Sequence, residues 1–357
     1  YPCILRIGAG SPCERFDAVQ VENLDYPDLT DYVKAHAYPV NLTYLDEEGW
    51  SLADEKTQAL LDKIKSVGVP LETYVNGKIY RGIVTGLNQA FVIDIDTRER
   101  LIAQDPKNAE ILKPFLVGKD IKRYQPTKAK KSLIYIPWHF PLHEDSSIEG
   151  ASKEAEIKFK ERYPLIFNYL SQFKTELLNR NETETGVRYE WYALQRYGSS
   201  YYTEFENPKI IYPNICKRPE FTFDNDSNYT NQKCYIIPVA DKYLLGILNS
   251  NLNNFLFRMI LPKLRGGFYE PSSVLFTKFP IPLIDPANSA DVARHDRMVT
   301  LVEQMLDLNR RLAAAKVSHE KEVLAGMIGT TDRQINRLVY ELYGLTEEEI
   351  AVVEGVE

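Results

Sequence analysis

The sequence has few of the residues that bind metals or form disulfides. Its 357 residues include four cysteines and five histidines. No two cysteines have the Cys-x-x-Cys spacing of a zinc ribbon. His139 and His143 are four residues apart, but Pro141 between them excludes a shared helical face. We therefore predict no metal site. The cysteines are expected to be free thiols in a reducing cytoplasm: Cys3, Cys13, Cys216 and Cys234.

Segments that direct a chain to a membrane are also missing. No apolar run approaches the roughly 20 residues that cross a bilayer, and the start at Tyr1 has no basic region typical of a signal peptide. We expect a cytoplasmic protein without a membrane partner. The lack of an initiator methionine indicates a fragment or a processed product.

No motif for catalysis or cofactor binding is complete. A Gly-x-Ser-x-Gly elbow for a hydrolase nucleophile is absent. The run from Gly8 to Cys13 begins like a cofactor loop, but Cys13 replaces the third glycine and no helix opens after it, so we interpret it as a hairpin turn. Asp94 and Asp96 are interpreted as a solvated strand end, not as a nuclease site. We predict no catalytic residue and no cofactor in this chain.

The charge is unevenly distributed along the chain. Hydrophobic residues make up 44% and charged residues 26%, which allows two or three domains with packed cores. The net charge is −7, but residues 1–62 carry −8 and residues 341–357 carry −6, which leaves +7 for residues 63–340. The densest cationic stretch, residues 113–131, has seven Lys or Arg against Asp120. A solvated surface loop is the simplest interpretation of such a stretch taken alone.

Apolar periodicity predicts an α+β fold with a mixed sheet and a helical C-terminal segment. We divide the chain into residues 1–37, 38–285 and 286–357. Strands are predicted at Cys3–Ile7, Phe16–Val21, Lys78–Val84, Ala90–Asp94, Leu133–Pro137, Lys209–Tyr212 and Leu275–Pro280. Helices are predicted at Asp28–Ala37, Ser51–Val67, Lys153–Asn179 (interrupted at Pro164) and Asp241–Ile260.

The C-terminal segment has its own helical signals. Apolar residues at alternating steps of three and four from Met298 to Ala315 predict a short heptad seam. Thr331 with Gln334, and Thr346 with Glu349, each have the spacing that opens a helix. These local signals leave two alternatives open, because this segment either packs back on the preceding domain or spaces it from a neighbour.

Several loops combine cations, amides and glycines, the groups that contact nucleic acid. Phosphates are bound by Lys, Arg and glycine-exposed backbone N–H groups, and base edges by Arg, Lys, Asn or Gln on a rigid support. Any one such loop is more often structural than functional. The candidates are Thr85, Asn88, Lys119, Lys122, Arg123, Arg196, Lys217, Arg218, Arg265, Gly266 and Gly267.

Long blocks of the chain carry a family resemblance. They are Arg81–Asp94, Ile111–Tyr124, Lys209–Tyr212, Tyr243–Ser250, Leu264–Gly267, Phe279–Pro282 and Ile335–Ile350. In this order they resemble the TaqI-like C-terminal specificity domain of adenine-specific DNA methyltransferases and type IIG restriction–modification enzymes. The resemblance spans about residues 38–354.

The resemblance implies sequence-specific recognition of duplex DNA for a catalytic domain that this chain does not contain. Residues 1–25 are similar to the last hairpin of an upstream methyltransferase domain, and residues 38–285 would be the recognition domain. The family's catalytic tetrapeptide, in which Asn, Asp or Ser precedes Pro-Pro and an aromatic residue, is absent. S-adenosylmethionine is therefore expected for the parent protein only, which methylates adenine with or without a fused endonuclease.

On this interpretation Lys119, Lys122, Arg123 and Arg265 are expected on phosphates. Thr85, Asn88, Arg196, Lys217 and Arg218 are expected on base edges or backbone. An alternative function is a protein-interaction scaffold of a phage-defence methyltransferase complex, with self-association through the helical segment left open. A third class, a self-contained nuclease, would require metal-dependent cleavage. The first interpretation requires that the cationic loops converge into a single cleft.

Overall fold

The computed structural model describes residues 13–21, 25–46, 49–182, 188–272 and 274–355. The predicted strand Cys3–Ile7 lies outside these residues, as does the glycine turn before Cys13. The strands are β1 Arg15–Ala18, β2 Tyr38–Asn41, β3 Leu45–Asp46, β4 Gly49–Trp50, β5 Val69–Pro70, β6 Tyr80–Arg81, β7 Val92–Asp94, β8 Leu112–Leu116, β9 Lys131–Ile134, β10 Lys209–Pro213, β11 Thr222–Asp224, β12 Tyr229–Thr230, β13 Cys234–Ile237, β14 Lys263–Leu264, β15 Phe268–Tyr269 and β16 Pro280–Ile281.

Helices are distributed along the whole described chain. They are α1 Leu29–His36, α2 Glu55–Lys65, α3 Leu71–Tyr74, α4 Asn88–Phe91, α5 Ile95–Gln104, α6 Lys153–Arg162, α7 Pro164–Ser171, α8 Lys174–Arg180, α9 Lys242–Leu248, α10 Asn251–Ile260, α11 Val274–Thr277, α12 Ser289–Ala314, α13 Ser318–Leu342 and α14 Glu347–Glu354. The predicted α+β class is confirmed. Among the described residues, no helix combines the length and apolar composition needed to cross a bilayer.

Two four-stranded sheets form the centre of the molecule. One has the order β11-β10-β13-β6 with every pair antiparallel, and the other has the order β12-β8-β9-β7, in which β12 runs parallel to β8. A parallel bridge between Ile83, just after β6, and Asn231, just after β12, joins the two sheets. The predicted mixed sheet is therefore present as two adjoining sheets.

The first sheet is buried on both faces. Side chains alternate across a strand, so Ile210 and Tyr212 point into one core while Ile211 points into the other. The first core lies between this sheet and the helices of the C-terminal half. The second core lies between the two sheets and helices α6 to α8. A sheet covered on both sides is a rigid support for the loops that leave its strand ends.

The helical C-terminal segment packs back on the preceding domain. Met298 and Val302 of α12 lie against Gly246 of α9, where an added Cβ would come within 2.5 Å of the Met298 sulfur. Ile335 and Leu338 of α13 join the same core. Residues predicted as a heptad seam therefore pack against both a neighbouring helix and the domain, which decides between the two alternatives left open by the sequence.

Some local predictions are confirmed. Asp28 caps α1 by accepting from the backbone N–H groups of Thr30 and Asp31. Pro164 begins α7, which places the predicted interruption at the start of a new helix. Thr346 and Glu349 form a capping box at the start of α14.

Some predictions are wrong, the first two described here for a tertiary reason. The predicted helix Asp241–Ile260 is two helices, α9 and α10. They separate because the Asn249 side chain exchanges two hydrogen bonds with the backbone of Phe221, and Ser250 caps α10. The predicted strand Leu275–Pro280 begins as α11, since Phe276 is buried against the aromatic cluster of the first core. Thr331 does not open a helix, because α13 runs through it.

Candidate nucleic-acid interface

Three chain segments meet where the two central sheets join. β8 and β12 are parallel, so the segments that follow them, residues 117–122 and 231–233, leave the sheet at the same edge. β10 ends beside the start of β13, where Pro213 pairs with Cys234, and this brings residues 214–220 to the same edge. Backbone hydrogen bonds hold the segments together: the Asn231 N–H donates to Leu116 O, and the Asn214 N–H to Lys233 O.

Gly82 allows the close approach on which this junction depends. Its N–H donates to Cys234 O, and the next N–H donates to Thr230 O at 2.7 Å. A Cβ at residue 82 would lie 2.1 Å from the Asn231 carbonyl oxygen. Only glycine fits this contact, because real Cβ atoms do not approach backbone oxygens so closely. Gly82 therefore allows the two sheets to join beneath the groove.

The three segments line an open groove of about 860 Å³. Its cations are Lys119, Lys122, Lys217, Arg218 and Lys233, against one acidic residue, Glu220. Lys119, Lys217, Arg218 and Lys233 are solvent-exposed. Cations clustered in a concave surface concentrate positive potential there more than the same charges on a flat surface. The groove is therefore a candidate site for a polyanion.

The acidic groups near the groove are already engaged. Lys122 Nζ lies 3.1 Å from Glu220 Oε1, so this pair is locally neutral. The Asp120 carboxylate accepts from the Val117 N–H at 3.0 Å and closes the single 3-10 turn Gly118–Asp120. The four remaining cations thus face the groove without a competing carboxylate among its lining residues.

A glycine hairpin forms one wall. β14 and β15 pair across Arg265–Gly267, and Gly266 and Gly267 have φ of +83° and +75°, which favour glycine. Phe268 of this hairpin lines the groove, and Lys217 Nζ lies 5.2 Å from its ring centroid. Arg265 is exposed at the hairpin tip and is not one of the lining residues.

The hairpin is attached to the groove by backbone pairing. Cys216 and Tyr269 exchange two hydrogen bonds, of 3.1 and 2.7 Å. The Cys216 side chain lies beneath the groove, and burial raises the pKa of its thiol to about 12. Burial also raises the pKa of Cys234. Both residues are free cysteines, as predicted, and contribute packing rather than a reactive thiolate.

A second, smaller concavity adjoins the groove. It measures about 290 Å³ and shares Val117 and Asn231 with the larger one. Its further polar lining is Asn88, Gln89 and Lys131, over an apolar floor that includes Phe115. The cationic surface thus continues past the sheet junction toward the loop that follows β6.

The remaining sequence candidates lie outside the larger groove. Arg123 turns away from it and donates to Asn249 O and to the Asp332 carboxylate of α13. Thr85 is buried, with 3% of its surface exposed, beneath Asn88. Arg196 is exposed, and its backbone pairs with Val84. Of the eleven candidates, the structure brings Lys119, Lys122, Lys217 and Arg218 together.

Sequence reasoning missed Lys233, Asn231 and Lys131 as lining residues. Lys131 belongs to the cationic stretch 113–131 but could not be separated from its neighbours by pattern. Lys233 is an isolated lysine with no local signal. Its position is set by an Asn231 turn, in which the side-chain oxygen accepts from the Lys233 N–H at 3.1 Å.

A family comparison bears on the resemblance inferred from the sequence. A family model of the TaqI-like C-terminal specificity domain matches residues 113–281. Residues 113–281 are therefore similar to this specificity domain, and the resemblance inferred from the sequence blocks is confirmed over that range. The matched range contains the whole lining of the larger groove.

Two relatives are named as type II methyltransferases. M.MjaIV of Methanocaldococcus jannaschii is 28% identical over 221 residues, which cover 59% of this chain and 64% of the relative. M.PaeR7I of Pseudomonas aeruginosa is 22% identical over 312 residues, which cover 86% of this chain and 45% of the relative. The chain therefore spans less than two thirds of the length of either relative.

The fold is shared with a solved restriction–modification enzyme. The type IIL enzyme MmeI, solved in complex with DNA, superposes with a TM-score of 0.50 at 14% identity, covering 78% of this chain and 34% of that chain. At this level of identity the similarity concerns the fold alone.

Proposed function

We propose that this chain is the DNA target-recognition part of a restriction–modification methyltransferase and that duplex DNA binds along the cationic groove. The observation that carries the proposal is the convergence of four exposed, uncompensated cations, from three separate chain segments, within a specificity domain. Phosphates repeat along DNA, so several cations held in one concave surface can each contact a phosphate at once.

The rigid backbone beneath the cations suits a role in positioning the protein on DNA. The groove stands on a sheet buried on both faces, and hydrogen-bonded turns hold Lys119 and Lys233. A rigid support fixes the register of the protein on the duplex, and groups near the phosphate contacts can then meet base edges. Arg265 at the hairpin tip and Arg196 beside Val84 stay proposed as contacts at the rim.

Methylation itself is proposed to occur in another domain. The relatives are methyltransferases of greater length, and we propose that this chain acts beside such a domain in the cytoplasm, as part of a defence against phage DNA. S-adenosylmethionine does not fit the groove, because its sulfonium and amino groups are cations and would be repelled by the lysines and arginine there. No step of methyl transfer is assigned to residues of this chain.

A salt titration of duplex binding tests the proposal. Fluorescence anisotropy with a labelled random-sequence duplex measures Kd between 50 and 200 mM salt. If Lys119, Lys217, Arg218 and Lys233 each contact one phosphate, log Kd should change with log salt with a slope of roughly 3.6, which weakens binding about 100-fold over that range. Changing any one of these four residues to Gln should reduce the slope by about 0.9.

Lys107→Gln is the matched control. Lys107 is exposed and precedes β8, at the opposite end of the strand from Lys119. The control should leave the slope unchanged. A scaffold that binds only proteins would show no salt-dependent duplex binding. That result, or an equal effect of the control and the groove variants, would overturn the proposal.

A further inference from the structure

The loop after β6 presents one side-chain amide in a fixed orientation. Thr85 Oγ1 donates to Asn88 Oδ1 at 2.7 Å. Because the amide oxygen is held by a buried hydroxyl, the amide nitrogen is turned away from Thr85. Asn88 is exposed and lines the smaller concavity with Lys131. The loop therefore directs a neutral hydrogen-bond donor toward the continuation of the cationic groove.

A buried arginine holds this loop from below. Arg180 is 5% exposed, and its Nη1 donates to Thr85 O at 2.8 Å. Its Nη2 donates to Ala193 O at 2.9 Å, so the guanidinium is fixed by backbone on two sides. Gly86 has a φ of +75°, and a Cβ there would lie 2.3 Å from the Arg180 Cδ. The turn is thus shaped around the arginine and has little freedom to reorient Asn88.

We infer that the Asn88 side-chain amide donates a hydrogen bond to a phosphate oxygen of the DNA backbone, with Thr85 and Arg180 as positioning residues. The inference rests on the proposed function, since it places the same duplex across both concavities. It adds a contact that carries no charge, and it gives Thr85 a role beneath the surface rather than on the DNA.

The hydrogen-bonding geometry favours a phosphate over a base. Asn reads adenine with two bonds, since its oxygen accepts from N6 while its nitrogen donates to N7. At Asn88 the oxygen is already bound to Thr85. That bond engages one lone pair of the oxygen and fixes its direction, which opposes the paired contact to adenine and leaves the amide nitrogen as the outward-facing group. A single donor matches phosphate oxygens, which are acceptors only. Lys131 in the same concavity supplies the positive charge expected beside a phosphate.

A neutral phosphate contact has a signature different from that of a lysine. Replacing Asn88 removes a hydrogen bond but releases no counterion, so affinity should fall by the same factor at every salt concentration. Asn88→Ala is expected to raise Kd about tenfold with an unchanged salt slope. Asn88→Asp places a negative charge near the phosphate and should weaken binding further.

Thr85 provides a matched pair of variants. Thr85→Ser keeps the hydroxyl and should bind like the wild type, whereas Thr85→Val should approach the defect of Asn88→Ala. In an Asn88→Ala background, Thr85→Val should have no further effect on Kd, because its only route to the DNA is through Asn88. A purely structural role would add its defect in both backgrounds. Urea-unfolding midpoints check that every variant compared is folded.

Selection from a random duplex library distinguishes phosphate contact from base reading. If Asn88 contacts phosphate, wild type and Asn88→Ala should enrich the same motif. A motif changed at one base pair, or binding that Asn88→Asp preserves, would overturn the inference in favour of base reading. Unchanged affinity of Asn88→Ala would overturn the inference alone. Absence of salt-dependent binding by the wild type would instead overturn the proposed function, and the inference with it.

Discussion

Lys122 and Arg123 are adjacent in the chain but face different parts of the molecule. Lys122 lines the groove, whereas Arg123 is 18% exposed at its side chain and lies between the recognition domain and α13. Its Nε and Nη2 donate to Asn249 O at 2.9 and 2.6 Å, and Nη2 donates to Asp332 Oδ1 at 2.5 Å. We therefore expect opposite consequences when each is changed to glutamine.

The expected loss of stability follows from the contacts of Arg123. Arg123→Gln removes hydrogen bonds from a charged donor, each worth roughly 1.5–3 kcal/mol and not fully additive. It also leaves the Asp332 carboxylate, 25% exposed, without its cation. We expect the free energy of unfolding to fall by about 2–4 kcal/mol. Lys122→Gln breaks an exposed pair with Glu220, so a loss of about 0–1 kcal/mol is expected.

Urea unfolding and salt-dependent anisotropy measure the two effects separately. Arg123→Gln should lower the unfolding midpoint but keep the salt slope of duplex binding, measured where the variant is folded. Lys122→Gln should leave the midpoint nearly unchanged and weaken duplex binding, because the Glu220 carboxylate in the groove then has no cation beside it. A double-mutant cycle with Asp332→Asn should give a coupling of roughly 1–2 kcal/mol. A reduced slope with unaltered stability for Arg123→Gln would refute this reasoning and restore Arg123 as a phosphate contact.

Three further predictions concern the core of the molecule. Gly82→Ala forces a Cβ against a backbone carbonyl at the sheet junction, so the free energy of unfolding, measured in urea, should fall by about 1–3 kcal/mol and duplex binding should weaken. Gly326→Ala, at a helical site with nothing within 4 Å, is the control and should raise the free energy of unfolding by about 0.5–1 kcal/mol. Lys209→Met leaves the fully buried Asp224 carboxylate without its cation and should lower the free energy of unfolding by about 3–5 kcal/mol. A change below about 1 kcal/mol would contradict the structural role of the Lys209–Asp224 pair. Burial raises the pKa of Cys216 from 9.0 to about 12, so Cys216 should be alkylated more slowly than exposed Cys13 in peptide mapping at pH 8, and equal alkylation rates would contradict the burial. Because the thiol of the unfolded chain ionises at lower pH, the contribution of Cys216 to stability should be lost as pH rises from about 9 to 12.

Several features of the fold were predictable because their causes are local. The Thr346–Glu349 capping box and the start of α7 at Pro164 each depend on contacts within one helical turn. The family blocks were also visible, since each is a continuous run. The break between α9 and α10 was not, because Asn249 is drawn out of the helix by the backbone of Phe221, far away in sequence.

By itself, then, the sequence determined the α+β class, the family resemblance, several helix ends and four of the five cations that line the groove. Only the tertiary structure decided which cations meet. Lys119 and Lys233 lie together because β8 pairs in parallel with β12, more than a hundred residues later, and Gly82 lets the two sheets join beneath them. Neighbours such as Lys122 and Arg123 separate because one faces the groove and the other finds Asp332 on α13. Pairing register and burial act over the whole chain, and no window of local sequence contains them.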